Sequence, residues 1–150
     1  MASSNNFALL WSEEGFIIAE TANHASVRSL AVSFSSQMID GSDLKDDLHM
    51  TAILQKALRD NRIETKKVHL AISAKDSIIR SFVLPVMNAN ELNSAVEFEA
   101  KKYIPLSFKD LHYSFYSVNI TENKIKKQRI IFIAVKRELI DRAVSIISSA

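Results

Sequence analysis

Along the 150 residues, apolar positions fall alternately into short runs and stepped stripes, and the two patterns predict strands and helices in turn. Phe7 to Trp11 and Phe16 to Ala22 are apolar runs separated by Ser12-Glu13-Glu14-Gly15, a spacing that predicts a hairpin. Val27 to Phe34 is a looser third run that would extend the hairpin into a three-stranded meander, while the polar residues 1–6 are expected to be loose. Asp40-Gly41-Ser42 reads as a turn. Met50, Ile53, Leu54, Ala57 and Leu58 then recur at helical spacing behind Asp43, Asp46 and Asp47, predicting an amphipathic helix with an acidic first turn. After a polar connection from Asn61 to Lys67, Val68, Leu70 and Ile72 alternate with His69, Ala71 and Ser73 as a half-buried strand does.

Lys75-Asp76-Ser77 turns the chain into a strand from Ile78 to Leu84, and the only two prolines, Pro85 and Pro105, then bracket a helix. Asn88 or Asn90 can cap its start, and Glu91 suits the positive end of the helix dipole. Leu92, Ala95, Val96, Ala100 and Tyr103 form its apolar stripe. Lys101 and Lys102 favour its last turn, Glu97 and Lys101 make a four-residue pair, and Ile104, as the residue before a proline, is expected to close it.

Beyond Pro105, His112 to Ile120 alternates and Ile130 to Val135 is apolar without a break, which predicts a central strand covered on both faces. Between them Thr121 to Gln128 is expected to be a hairpin loop. Its Lys124, Lys126 and Lys127, with Arg129, form the one basic run: a solvated loop that blunts a sheet edge, or a patch for an anionic lipid or acidic partner. Leu139, Ile140, Ala143, Val144 and Ile147 make a final amphipathic helix. The order is three strands, helix, strand, then strand, helix, strand, strand, helix: an α+β class of two small sheets with helices on one face.

Composition narrows the chemistry. With 47% apolar and 24% charged residues the chain is ordinary globular material. It has no cysteine, which excludes disulfides and thiolate metal sites. No apolar run is long enough for a membrane span, and a net charge of +2 argues weakly for nucleic acid or lipid. Gly15 and Gly41 are the only glycines, too few and too far apart for a phosphate-binding loop or a dinucleotide fingerprint. The Asp43, Asp46, Asp47, His49 cluster has metal-ligand residue types, but acids at this position cap and solvate a helix start, and we read them so. No nucleophile or metalloprotease motif is present. Nucleic-acid binding would need the Lys124–Arg129 run to share a basic face with Tyr113 and Tyr116.

Four stretches carry a family resemblance: V-H-L-A-I-S from Val68, I-I-R-S-F-V-L-P ending at Pro85, E-L-N-S-A-V-E-F-E-A-K-K-Y-I-P from Glu91 to Pro105, and F-I-A-V-K-R-E-L-I-D from Phe132 to Asp141. They resemble the PilM family of type IV pilus assembly proteins and the GspL-type proteins of type II secretion, which are actin-like scaffolds. Glu97 to Pro105 is the most specific piece. The resemblance implies that residues 1–75 are the first part of an actin-like, ribonuclease H-like domain. It also implies that residues 76–150 are an inserted strand-helix-strand-strand (SHS2) subdomain with the terminal helix.

In that family the first hairpin usually carries an Asp, a Gly and a Lys that contact nucleotide phosphate and metal. Here the matching positions hold Leu10, Ser12 and Ile17: Leu10 cannot coordinate a cation, and Ile17 supplies no positive charge for a phosphate. The resemblance, read residue by residue, therefore implies no nucleotide cofactor and no catalysis. It suggests a degenerate scaffold, like the shortened forms of bundle-forming-type pilus systems, or a piece of a longer membrane-anchored relative. The implied role is cytoplasmic, at the bacterial inner membrane, gripping the tail of a PilN-type membrane protein and the assembly ATPase. A groove between the two halves near Pro85, Glu99, Tyr103 and Phe115 is the expected docking place, and a strand edge or the terminal helix is a candidate dimer contact. The alternatives are a GspL-like secretion domain and an actin-like ATP-binding protein.

Overall fold

The meander expected from the first three apolar runs is built by β1 (Phe7–Ser12), β2 (Gly15–Ala22) and β3 (Ser26–Ser33) in a computed structural model of the chain. The structure describes residues 7–12, 14–22, 26–34, 39–40, 43–44, 47–63 and 67–150. The turn residues Gly41 and Ser42, together with Asp46 of the acidic cluster, lie outside them. Two short strands, β4 (Ile39–Asp40) and β5 (Asp43–Leu44), form a small antiparallel pair ahead of α1 (Asp47–Asp60). β6 (Val68–Ile72) follows, then β7 (Ser77–Pro85), α2 (Ala89–Ala100), β8 (Leu111–Glu122), β9 (Ile125–Lys136) and α3 (Arg137–Ser149). The class is α+β, as expected.

The chain divides into two units, residues 1–73 with 141–150, and residues 74–140. In the first, the sheet order is β3-β2-β1-β6, with β6 parallel to β1 and the other pairs antiparallel. Alternation sets its inner face: Phe7, Leu9 and Trp11 of β1 are buried, and Leu9 and Trp11 stand opposite Ile18 and Phe16 of β2. Met50, Leu54 and Ala57 of α1 close over this face. Glu20, on the same strand face as Phe16 and Ile18, is buried but salt-bridged at 2.8 Å to Arg28, its cross-strand neighbour. Gly15 is required where it stands: its φ is 149°, and a Cβ there would collide with the carbonyl oxygen of Val32.

Ala143 and Ile146 of α3 belong to this same core. The helix expected to go with the second part of the chain thus has its C-terminal residues counted with the first unit. Its apolar stripe explains why, since Ala143 and Ile146 are buried beside Met50 and Leu54.

The second unit runs strand, helix, strand, strand. Its antiparallel sheet has the order β7-β9-β8, and α2 packs on one face. Asn88 caps α2 by accepting the backbone N–H of Glu91 at 3.0 Å, and Leu92, Val96 and Ala100 turn inward. They meet Phe82 and Leu84 of β7, Leu111 of β8, and Ile130, Phe132 and Ala134 of β9.

Three sequence expectations change here. The helix ends at Ala100 rather than reaching Ile104. Lys102 and Tyr103 donate to carbonyls three residues back, so the chain tightens into a turn before the second proline. The stretch from Thr121 to Gln128 is not a loop but paired strand, broken only at Asn123-Lys124, whose φ values of 49° and 65° make a tight turn that follows the strand twist. β9 is central, yet it is covered on one face only. Gln128, Ile130, Phe132 and Ala134 are buried, whereas Ile131 and Ile133 remain 36% and 44% exposed. An unbroken apolar run did not mean two covered faces.

Candidate protein-docking surface

The first hairpin carries Leu10, Ser12 and Ile17. Leu10 and Ile17 stand opposite each other in the β1–β2 register, Leu10 half-buried and Ile17 44% exposed. Ser12 spends its hydroxyl locally, donating to the Gly15 carbonyl at 3.0 Å across the turn. Leu10 and Ile17 are both aliphatic, so neither can neutralise a phosphate or hold its cation. Among the described residues no cluster of three or more His, Asp or Glu gathers. His49 is exposed on the first turn of α1.

The candidate partner residues Pro85, Glu99, Tyr103 and Phe115 all lie in the second unit, but they do not form one cluster. Pro85 is exposed at the end of β7, opposite Lys127. Phe115 is half-buried and packs against the core beside its cross-strand partner Phe132. Glu99 and Tyr103 do meet, one helical turn apart: the Tyr103 hydroxyl donates to Glu99 Oε1 at 3.3 Å, and Lys102 Nζ holds Glu99 Oε2 at 2.7 Å. The Tyr103 ring stacks on Phe82 at 6.4 Å, which fixes its orientation while leaving it 50% exposed.

A residue absent from the sequence-derived set completes this surface. Phe98 is 69% exposed on α2, and Lys102 Nζ lies 5.3 Å over its ring. The signal was present, because Phe98 falls off the stripe of Leu92, Val96 and Ala100, where an aromatic has no core to enter. Behind it the following loop is pinned. Lys101 Nζ sits 5.5 Å from the Phe108 ring, Phe108 packs edge-on against Tyr113 at 5.2 Å, and Tyr113 stacks on Phe132 at 5.4 Å. The Tyr113 hydroxyl donates to Glu97, so α2 and β8 are tied through side chains.

The electrostatics follow these bonds. The hydrogen bond from Lys102 holds the Glu99 carboxyl below the usual range, against an opposing cost of desolvation, with the lysine's charge and the Tyr103 hydroxyl adding to it. The same bond raises Lys102. Tyr113 is raised by its hydrogen bond to Glu97, then by burial and by the carboxylate charge. These polar groups answer one another within the surface. What they leave outward is an exposed ring, a stacked phenol and the apolar Leu106, 38% exposed, on a braced backbone. That combination suits recognition of a peptide.

A four-stranded sheet in one unit, and in the other a three-stranded sheet carrying one helix on one face, define the class as α+β. A family profile described as type IV pilus assembly protein PilM matches residues 18–150, and the chain belongs to that family. Among solved structures, it is similar to one chain of a PilM-PilN type IV pilus biogenesis complex, with a TM-score of 0.75 at 16% identity, covering 97% of this chain and 44% of that one. It is also similar to the cytoplasmic domain of EpsL, an inner-membrane component of the type II secretion system of Vibrio cholerae. There the TM-score is 0.61 at 12% identity, covering 97% of this chain and 53% of that one. A protein of Bacteroides thetaiotaomicron described as having an actin-like ATPase fold and unknown function aligns with a TM-score of 0.46 at 10% identity, over 97% and 49%. The chain spans about half the length of these solved chains. A comparison with curated proteins returns no match. Among the described residues, no helix is long and apolar enough to cross a membrane.

Proposed function

We propose that this chain is a non-catalytic scaffold of the type IV pilus assembly platform, working on the cytoplasmic side of the bacterial inner membrane. Its second unit docks the cytoplasmic tail of a PilN-type membrane protein on the α2 surface, and the assembly ATPase is a further partner. The observation that carries this reading is two exposed aromatic rings, Phe98 near the end of α2 under Lys102 and Tyr103 in the turn that follows, stacked on Phe82 and bonded to Glu99. Aromatic side chains held in this way bind at low entropic cost. Family membership supports the assembly role, and the likeness to a chain of a PilM-PilN complex supports the choice of partner.

The second reading, a GspL-like platform domain of type II secretion, is favoured by the likeness to the EpsL cytoplasmic domain. The family profile supports the pilus. The test is a residue-resolved NMR titration with a synthetic peptide of the partner's N-terminal cytoplasmic tail. Saturable shifts gathered on Phe98, Glu99 and Tyr103 are expected. A folded protein giving no shifts there would remove the α2 surface as the site and leave only the family assignment standing.

A further inference from the structure

The sheet of the second unit has another face, the one away from α2. By the register, Ile79 and Ile133 stand side by side on it, then Ile131 beside Tyr116, then Arg129 between Val83 and Val118. Ile79, Tyr116 and Val118 are 49%, 68% and 41% exposed, so three adjacent rows present apolar side chains to the outside. An exposed apolar patch of this continuity marks an interaction site. At its far end a shallow pocket of about 190 Å³ lies between Val83, Pro85 and Ile125, with Lys126 and Lys127.

The outward positions of this face carry a net positive charge. The acid among its outward positions is Glu122, and it is held by Lys127 at 2.8 Å; the hydrogen bond and the charge of Lys127 both act on it more strongly than Arg129 does. Arg129 is exposed on this face and Lys124 at the tight turn, while Lys126 lines the pocket from a position on β9 that shares the parity of Gln128 and Ile130, opposite to that of Arg129. Arg129 is decisive because it sits inside the apolar rows rather than at their rim. Any occupant that dries the rows also desolvates the guanidinium and must supply a carboxylate for it. We infer that this sheet face docks an acidic, amphipathic segment of a partner protein, its apolar side chains on the isoleucine rows and the pocket, its carboxylates on Arg129 and the turn lysines. The surface is separate from α2 and stands whether or not α2 holds the membrane tail.

The probe is a short blocked peptide alternating leucine and glutamate, titrated by fluorescence anisotropy and methyl NMR at low ionic strength. A leucine–lysine peptide and vesicles of mixed phosphatidylglycerol and phosphatidylcholine serve as comparisons. The leucine–glutamate peptide should saturate, shift the Ile79, Ile131 and Ile133 methyls, and weaken as salt is raised. Arg129→Glu should cost ~10-fold or more in affinity, whereas Arg129→Lys should keep most of it, with unchanged thermal midpoints. Ile131→Ser should also weaken binding, through the apolar rows. The inference is overturned by absence of saturable binding, by equal binding of the leucine–lysine peptide, by vesicle binding in place of peptide binding, or by shifts gathered instead on Phe98 and Tyr103.

Discussion

The Tyr113 hydroxyl on β8 donates a hydrogen bond to the Glu97 carboxylate on α2, joining the helix to the sheet through two side chains sixteen positions apart in sequence. The bond favours the neutral phenol, so Tyr113 should titrate above the ordinary tyrosine value of ~10. A raised folded value means the contribution to stability is complete below the ordinary tyrosine range and is lost as pH rises through the folded one. NMR titration of the ring should show the high value, and Glu97→Gln should bring it down. A Tyr113 that titrates identically in both proteins would show that the bond does not persist in solution.

The pairing of Leu10 with Ile17 predicts that Mg-ATP does not bind. Isothermal calorimetry should give only heats of dilution. Saturable micromolar binding would mean that groups other than these serve the nucleotide, and the non-catalytic reading would have to be given up.

Phe98→Ala separates recognition from stability. At 69% exposure the ring contributes little to folding, and the change should stay within about 0.5 kcal/mol in urea unfolding. Affinity for the membrane-partner tail should fall by ~10-fold or more, in the manner of an aromatic anchor. Tyr103→Ala should weaken docking as well and also lose the stack on Phe82. Unchanged affinity in both variants would take the α2 surface out of contention.

The one-sided burial of β9 predicts an alternating mutational profile. Phe132 is fully buried, and Phe132→Ala should cost about 3–5 kcal/mol. Ile131→Ala and Ile133→Ala, on the open face, should cost far less. Equal losses at 131 and 132 in chemical denaturation would show that both faces are packed in solution.

Much of the architecture was legible because it rests on period. Alternation along Val68–Ile72 and the stepped stripes of Met50–Leu58 and Leu92–Ala100 each name an inward face without reference to the rest of the chain. What stayed hidden depends on partners far away in sequence. The run Ile130–Val135 is apolar on both faces, and no local rule tells which face the helix covers. Lys124 at φ 65° stands where glycine is the usual signal, so a tight turn passed for a loop. The candidate surface was half legible. Glu99 and Tyr103 could be read from the helix end, but Phe115 packs against the core, and Phe98 carries no local signal beyond its place off the apolar stripe.

Ala143 and Ile146 are buried with Phe7, Leu9 and Met50, yet all of residues 74–140 lie between them in sequence. During synthesis the second unit, contiguous in sequence, can close as soon as it emerges, whereas the first must wait for the last helix. Until then Leu9, Phe16 and Leu54 lack two of their neighbours. The unit that comes first in this sequence is therefore completed after the second. A truncation after Ile140 would harm the core around Leu9 and Leu54, far from the cut in sequence.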